Sequence, residues 1–290
     1  MIYLKGAKLL LEILFMRKHF LLAAIFLFSS TLFAEQANLI FRESYRLADV
    51  QNLVMALNSE NVEIKNFRGY KVTVEAYSNN TSRSPVIKRA NKSIIIEHSK
   101  EHFYKADYCN LIIYIPYDYK LNSFEYISDS GNLSAEEIWS DKINARSNAG
   151  SISFENLISS DTLSISTTKG KIKISKFKGE YFELTSESGA IQMNKVQAEY
   201  FNASSGSGQV FINLENAPVA TSQIKTSRGN ITVELPASEN FNLQVLSNSG
   251  TFRDNIRDVR KSARGEHDFK YNDGGALLIL QTSSGDITLE

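Results

Sequence analysis

A Ser/Thr-x-x-Gly motif recurs eight times between residues 128 and 285, and a strand-like run follows each copy. The first seven copies are spaced by 19, 20, 19, 19, 21 and 21 residues. Such a period is the signature of a repeat architecture, in which stacked units share one continuous core. The copies end at Gly131, Gly150, Gly170, Gly189, Gly208, Gly229, Gly250 and Gly285.

Apolar residues occupy the second and fourth positions after most of these glycines, and the residue between them is mostly polar. After Gly170, for example, Ile172 and Ile174 flank Lys173. This alternation indicates a strand with one buried face. A second short apolar run, such as Leu163–Ile165, leads into the next Ser or Thr. With about two short strands per coil of about 20 residues, the pattern predicts an all-β, single-domain parallel β-helix or β-solenoid, which we expect to be right-handed.

The glycine and the hydroxyl of each motif have local explanations. A strand that turns a corner once per coil often needs a positive φ, which glycine adopts without steric cost. The stacked hydroxyls of the Ser and Thr residues are expected to hydrogen-bond along the stack or to cap turn amides. The alternative is a ligand bound at these hydroxyls.

The N-terminus resembles a secretory signal peptide over residues 1–34. A basic stretch from Arg17 to His19 precedes the apolar run Leu21–Phe28, and small residues lead to a cleavage site after Ala34. Met16 is the start expected for a signal of normal length, so residues 1–15 are interpreted as a mis-assigned start. The alternative is an uncleaved membrane anchor. Once the signal is cleaved, we expect no transmembrane span.

The remaining chain divides into two regions. Residues 35–127 are expected to form irregular β coils that cap the stack, and residues 128–290 the regular solenoid repeats. Within the second region, residues 253–273 are crowded with charge and are interpreted as a solvated insertion between coils.

Charge and cysteine content exclude several classes of function. The chain has 32 basic and 32 acidic residues, and this neutrality argues against electrostatic binding to nucleic acid. Cys109 is the only cysteine, so no intrachain disulfide can form, and we interpret it as a packed strand residue. His98 and His102 have a ligand spacing only on a helix, where a strand is expected. We therefore predict no metal or cofactor site.

The repeats resemble those of the bacterial putative-adhesin family, whose β-helical domains carry Ser-Gly-Asp-Ile-type repeats of about 20 residues. The resemblance spans residues 37–290 and includes the lead-in strand Leu111–Pro116. It implies a surface protein and brings no catalytic residues. Lys169 and Arg228 depart from the family pattern, as does the coil after Gly250. The matching segments are Ser284-Gly285-Asp286-Ile287, Ser188-Gly189-Ala190-Ile191 and Arg228-Gly229-Asn230-Ile231.

Three functions fit these observations. The first is a non-enzymatic, adhesin-like exported protein of the periplasm, outer surface or extracellular space, which binds a glycan or an envelope protein through its solenoid faces. The second is a polysaccharide-active β-helix enzyme, which needs paired acids on adjacent coils. Asp129, Asp161 and Asp286 occupy unrelated repeat positions, while Glu155, Glu215 and Glu234 come closest to a pair. The third is an accessory protein in envelope-stress signalling. We favour the first and predict no catalytic residues.

Tyrosines cluster just before the regular repeats, and aromatic rings can stack on sugars. Packing within the sheet is the alternative explanation. Tyr117 and Tyr119 are the predicted binding pair within the cluster, whose members are Tyr104, Tyr108, Tyr114, Tyr117, Tyr119 and Tyr126.

Overall fold

The computed structural model describes residues 38–81, 84–98 and 108–290, and residues 39–290 belong to one compact unit. The expected signal peptide lies outside the described residues. A 3₁₀ helix, Leu47–Asp49, follows the first strand. The strands are β1 Asn38–Arg46, β2 Asn52–Leu57, β3 Asn61–Phe67, β4 Lys71–Ser78, β5 Val86–Ala90, β6 Ser93–Glu97, β7 Cys109–Pro116, β8 Lys120–Ser128, β9 Leu133–Ser147, β10 Ile152–Thr167, β11 Ile172–Ile174, β12 Phe177–Ser186, β13 Ile191–Ser205, β14 Val210–Leu214, β15 Ser222–Thr226, β16 Ile231–Glu234, β17 Phe241–Ser249, β18 Thr251–Asp254, β19 Val259–Ser262, β20 Gly265–Tyr271, β21 Leu277–Ser284 and β22 Ile287–Leu289.

The sequence repeats form parallel coils stacked in register. Leu133 lies beside Ile152, Ile152 beside Ile172, and Ile172 beside Ile191, so the same position of each repeat forms a column along the stack. These side chains are buried. Each coil thus buries its apolar face against the neighbouring coils, as expected for a solenoid. The prediction of an all-β solenoid of parallel coils is confirmed.

Aromatic rings inside the stack repeat at the strand spacing. Phe182 and Phe201 lie beside each other in β12 and β13, with ring centroids 4.8 Å apart and ring planes at 1°. The separation matches the distance between hydrogen-bonded strands. Each fully buried Phe contributes about 1.5–3 kcal/mol relative to an exposed one.

The repeat glycines form a column whose physical reason differs from the expectation. Among them only Gly250 has a positive φ, of 116°. The others are required by close approach between coils. A Cβ atom on Gly189 would lie 2.6 Å from the carbonyl carbon of Gly170, and closer still to its oxygen. Most repeat glycines face the preceding glycine in this way, so the motif reports backbone stacking and not a left-handed turn.

The hydroxyls of the motif line the inside of the same corner and are buried. Ser128, Ser147 and Ser205 each accept a hydrogen bond from the glycine amide three residues later, at 2.9–3.0 Å. Thr167 and Thr226 instead donate to the carbonyl of their own motif's glycine, at 2.7 Å and 2.6 Å. Thr226 and Thr282 also hydrogen-bond to each other between coils at 3.0 Å. The hydroxyls thus satisfy buried backbone groups that would be costly to leave unpaired.

Both ends of the stack depart from chain order. At the C-terminal end, β21 pairs in parallel with β15 on one side and β17 on the other. The last coil of the sequence, β21–β22, is therefore stacked between the coil β15–β16 and the coil β17–β18. At the N-terminal end, β2 lies between β6 and β8, so the first coil is likewise not the outermost one.

Antiparallel strands close the two outermost coils. β5 pairs with β6 and β4 with β7 at one end, while β20 pairs with β17 and β19 with β18 at the other. The interpretation of residues 253–273 as an insertion between coils is corrected accordingly. Most of this segment forms the closing strands at the end of the stack. Such strands cover edges that would otherwise template aggregation.

No helix in residues 38–81, 84–98 and 108–290 combines the length and apolar character of a membrane span.

Candidate functional site

Two turns meet at one corner of the N-terminal coils, because β3 and β7 are parallel and end side by side. Phe67 pairs with Pro116, and the Tyr117 amide donates to the Phe67 carbonyl at 3.0 Å. The turns that follow, residues 68–70 and 117–119, are therefore neighbours. Together they form the walls of a groove.

This corner groove has a volume of about 750 Å³ and is open to solvent. Two tyrosine rings dominate it, since Tyr70 is 89% exposed and Tyr117 is 53% exposed. Large aromatic side chains that remain exposed together mark an interaction site more often than isolated ones do. The groove is lined by Phe67, Arg68, Gly69, Tyr70, Pro116, Tyr117, Asp118 and Glu137.

Packing beneath the groove holds the turns in place. The ring of Phe67 meets that of Tyr114 edge-on, with centroids 6.2 Å apart. The Tyr119 hydroxyl lies within hydrogen-bond distance of two backbone carbonyls, Leu47 at 2.7 Å and Val50. Asp118 adopts a φ of 59°, a left-handed conformation that aspartate tolerates better than most residues. The tyrosine rings therefore project from turns that are anchored to the core.

Charged groups accompany the rings. The Glu137 carboxylate accepts a hydrogen bond from the Asn156 side chain at 2.5 Å. The backbone amide of Glu137 donates to the Asn66 side chain at 2.9 Å. Neither Arg68 nor Asp118 forms an ion pair with any residue that the structure describes. The groove thus offers a cation and two carboxylates beside two apolar ring faces.

The structure separates the roles of the clustered tyrosines. Tyr126 is buried, donates to the Gly131 carbonyl at 2.7 Å, and has its pKa raised to about 12 by burial. Tyr119 packs against the core, and its hydroxyl donates to a backbone carbonyl. The prediction that Tyr119 forms a binding pair with Tyr117 is corrected accordingly. Tyr114 is half-buried against Phe67, and Tyr104 lies outside the described residues. Of the two predicted binding residues, Tyr117 is the more exposed, at 53%, while Tyr119 is partly buried against the core.

Sequence reasoning missed the other half of the groove. Tyr70 was not among the predicted binding residues, and it lies in the turn before β4 begins at Lys71. The available signal was Gly69 between Arg68 and Tyr70, since glycine between bulky residues indicates a turn. The proximity of Tyr70 to Tyr117 depends on the pairing of β3 with β7, two strands separated by more than 40 residues of sequence.

The acids that the sequence offered for catalysis are engaged in separate contacts. Asp129 accepts a hydrogen bond from Asn148 at 2.9 Å, and Asp161 forms an ion pair with Lys142 at 3.7 Å. Asp286 accepts from the Thr251 amide at 2.8 Å. Among the glutamates, Glu215 accepts from Gln197 and Glu234 from Asn213. Glu155 is exposed on β10.

In the described part of the chain, no three His, Cys, Asp or Glu residues lie close enough together to bind a metal ion. His102 lies outside that part. Cys109 is buried, and its pKa is raised to about 12 by burial and, secondarily, by the charge of Glu60. A thiol held in this way is a poor nucleophile.

In-register parallel coils, a column of glycines and closed ends define a β-solenoid repeat protein. Within that class the chain belongs to the Toastrack DUF4097 family, whose model matches residues 50–290. The matched region covers nearly all of the segment for which the sequence resembles putative adhesins.

Several solved structures are similar to this chain. A putative adhesin from Bacteroides fragilis is 12% identical, with a TM-score of 0.47, and the match covers 86% of this chain and 96% of that one. A putative adhesin from Parabacteroides distasonis is 11% identical, with a TM-score of 0.47 and coverage of 88% and 98%. A putative lipid binding protein from the same organism is 10% identical, with a TM-score of 0.47 and coverage of 86% and 96%. No curated protein matches the chain.

Proposed function

We propose that the protein is exported and acts without catalysis as an adhesin-like envelope or surface protein that binds glycan at the corner groove. The observation that carries this proposal is the joint exposure of Tyr70 and Tyr117 on anchored turns. Each ring presents a large apolar face at little conformational cost. The faces of sugar rings carry C–H groups that pack against such surfaces.

The polar groups of the groove suit the same ligand class. Sugar hydroxyls both donate and accept hydrogen bonds, so they match the Arg68 guanidinium as well as the carboxylates of Asp118 and Glu137. A purely apolar partner would leave these three charges desolvated and unpaired, at considerable cost. A neutral or weakly charged glycan satisfies both the rings and the charges.

The separate engagement of the candidate acids supports binding over hydrolysis. Glycoside hydrolysis needs two carboxyl groups on either side of one bond, about 5–10 Å apart. Asp129, Asp161 and Asp286 contact different coils and different partners. A polysaccharide-active enzyme is therefore the less favoured function.

The binding proposal is tested with purified protein on a glycan array, followed by titration of the best ligand. Tyr70→Ala and Tyr117→Ala should each weaken binding by about tenfold, because stacking on one aromatic ring contributes on the order of 1–1.5 kcal/mol. The matched control is Tyr181→Ala with Tyr200→Ala, since those two rings also stack on the outer surface, with centroids 4.7 Å apart, but away from the groove. Equal loss in the control and groove variants would remove the groove from the proposal, and depolymerisation of any glycan that one acid substitution abolishes would refute the non-enzymatic function.

Export is tested separately by N-terminal sequencing of the protein recovered from cell fractions. A start at or near Glu35 in an exported fraction is expected. Retention in the inner membrane with a start at Met1 or Met16 supports the uncleaved anchor instead.

A further inference from the structure

Two arginines face each other on the hairpin that closes the C-terminal end of the stack. In the antiparallel pair β18–β19, Arg253 lies directly opposite Arg260. Both side chains are exposed, while Phe252 and Asp254, the strand neighbours of Arg253, are buried. Because directly opposed residues project from the same face, the two guanidinium groups emerge side by side.

Like charges in directly opposed positions destabilise a β-ladder. Neither Arg253 nor Arg260 forms an ion pair with any described residue. Two other cations of the same end have partners within the fold. The guanidinium of Arg257 lies 3.8 Å from the ring centre of Tyr271, and the ammonium of Lys261 lies 4.3 Å from that of Phe269.

Four acids of this end are engaged away from the arginine pair. Asp254 is buried and accepts hydrogen bonds from the Tyr271 hydroxyl at 2.5 Å and the Arg257 amide at 3.1 Å. Asp286 accepts from the Thr251 amide at 2.8 Å, and Glu290 from the Asn255 side chain at 3.4 Å. Glu266 accepts from Gln244 at 2.7 Å. Asp258, in the turn between β18 and β19, forms no ion pair with either arginine, so the pair has no counterion among the residues that the structure describes.

Hydroxyl donors continue the row across the sheet. Thr288 lies beside Arg253, and Thr232 lies beside Thr288. At about 4.8 Å per strand, the row from Arg260 to Thr232 spans roughly 14 Å. Two guanidinium forks followed by hydroxyls match the oxygen arrangement of tetrahedral oxyanions.

We propose that Arg253 and Arg260 form a binding site for the sulfate or phosphate groups of an anionic polysaccharide. One oxyanion bridges the two guanidinium groups and removes their mutual repulsion, and the Thr288 hydroxyl adds a donor beside Arg253. The site is separate from the corner groove. Along the parallel strands β7, β3, β9, β10, β11, β13, β14, β16, β22 and β18, nine strand spacings separate the two, or roughly 43 Å.

The test titrates the full exported chain with dextran sulfate, dextran phosphate and neutral dextran at one ionic strength. Saturable binding to one or both charged polymers is expected, and any binding of neutral dextran at the corner groove should be unchanged in the arginine variants. Arg253→Gln and Arg260→Gln should each weaken it at least about tenfold, because charge-assisted bidentate contacts are the strong ones. Arg→Lys at either position should lose less, since lysine keeps the charge without the fork. Inorganic sulfate and inorganic phosphate, added as competitors, distinguish the two ester types.

The matched control is Lys173→Gln. Lys173 is exposed on the same outward row, five strands from Arg253 through Gln192, Phe211, Thr232 and Thr288, roughly 24 Å away. It should change affinity by less than about twofold if the site is local. Equal weakening by Lys173→Gln, absence of saturable binding, or unchanged binding by the arginine variants would each overturn the proposal.

Folding is monitored by thermal melting, and the arginine variants should melt at or above the wild-type temperature because a like-charge pair is removed. A competing role for Arg260 is to keep the edge strand β19 from pairing with another molecule. Self-association of Arg260→Gln with undiminished dextran sulfate binding would support that role and refute the anion site. Tyr70→Ala and Tyr117→Ala leave the arginine pair untouched, so failure of the corner groove and failure of this site are distinguishable.

Discussion

Substituting alanine for Gly189 tests whether close stacking is what the repeat glycines provide. A Cβ atom at this position would lie 2.6 Å from the carbonyl carbon of Gly170, whereas ordinary contacts begin at 3.4 Å. The two coils must therefore separate locally by at least about 0.8 Å, and by more if the oxygen is to be cleared. The φ of Gly189 is not positive, so backbone conformation adds no separate cost.

The magnitude follows from the hydrogen bonds that cross this junction. The Glu187 amide donates to Thr167 at 3.2 Å, the Ser188 amide to Thr168 at 2.9 Å, and the Ile172 amide to Ala190 at 3.0 Å. Stretching each by 0.8 Å takes it beyond hydrogen-bond distance. Three bonds at about 1 kcal/mol each give a loss of about 3 kcal/mol. The reduced entropy of the unfolded alanine chain offsets about 0.4–1 kcal/mol of this.

The Gly189→Ala variant should therefore melt about 4–12 °C below the wild type, from a net loss of about 2–3 kcal/mol at 2–4 °C per kcal/mol. Ser188→Ala is the control, because Ser188 is exposed in the same turn and its side chain makes one hydrogen bond, to the Thr168 carbonyl at 3.1 Å. Hydrogen exchange should accelerate first at the amides of Ile172, Glu187 and Ser188. A Gly189→Ala variant that melts within about 1 °C of the control, with unchanged exchange at these amides, would show that the coils accept a methyl group and that the steric argument is wrong.

Three further results are expected. Ile172→Asp should destabilise the fold by several kcal/mol, because its side chain is buried among apolar neighbours, while Thr232→Asp on the outward face should be mild; equal melting temperatures would contradict the strand register. Stability should fall as the pH rises from 9 to 12, because burial holds the pKa values of Cys109 and Tyr126 at about 12 while the unfolded chain loses these protons near pH 9 and 10. Each group contributes about 1.4 kcal/mol per pH unit, so Cys109→Ala should flatten the decline in urea midpoint from pH 9, and an unaltered slope would exclude the thiol. Deleting residues 275–290 removes β21 and β22 from between their neighbours, so limited proteolysis should then cleave β17–β20 while the N-terminal coils stay protected; a protected C-terminal end would contradict the inserted arrangement.

The interior of the coils was predictable because the alternation of apolar and polar residues within each repeat indicates which side chains are buried. Ile172, Ile174 and their counterparts alternate with polar residues, and the structure buries them in columns. The glycines were also found from the sequence, but their reason was not. A positive φ and a close approach both select glycine, and one residue type cannot distinguish them.

The corner groove was predictable only in part. Tyr117 followed from composition, since the segment around it is rich in aromatic residues. The different role of Tyr119 depends on the contact of the Tyr119 hydroxyl with the Leu47 carbonyl. The position of Tyr117 beside Tyr70 depends on the pairing of β3 with β7. Both are long-range contacts in the least regular part of the chain, where no period indicates which strands are neighbours.

The inserted coils at the two ends show what a repeat period leaves open. Position within a repeat determines which residues face inward, but any coil can stack on any other that has the same register. Thr282 sits beside Thr226 although 56 residues separate them, and the Glu290 amide donates to the Val233 carbonyl at 2.8 Å. The strands β21 and β22, last in the chain, therefore lie between strands that precede them, while β19 and β20 cover the outer edge. Docking the last coil requires its neighbours on both sides, so the C-terminal region should fold as one cooperative unit and not coil by coil, as independent repeats do.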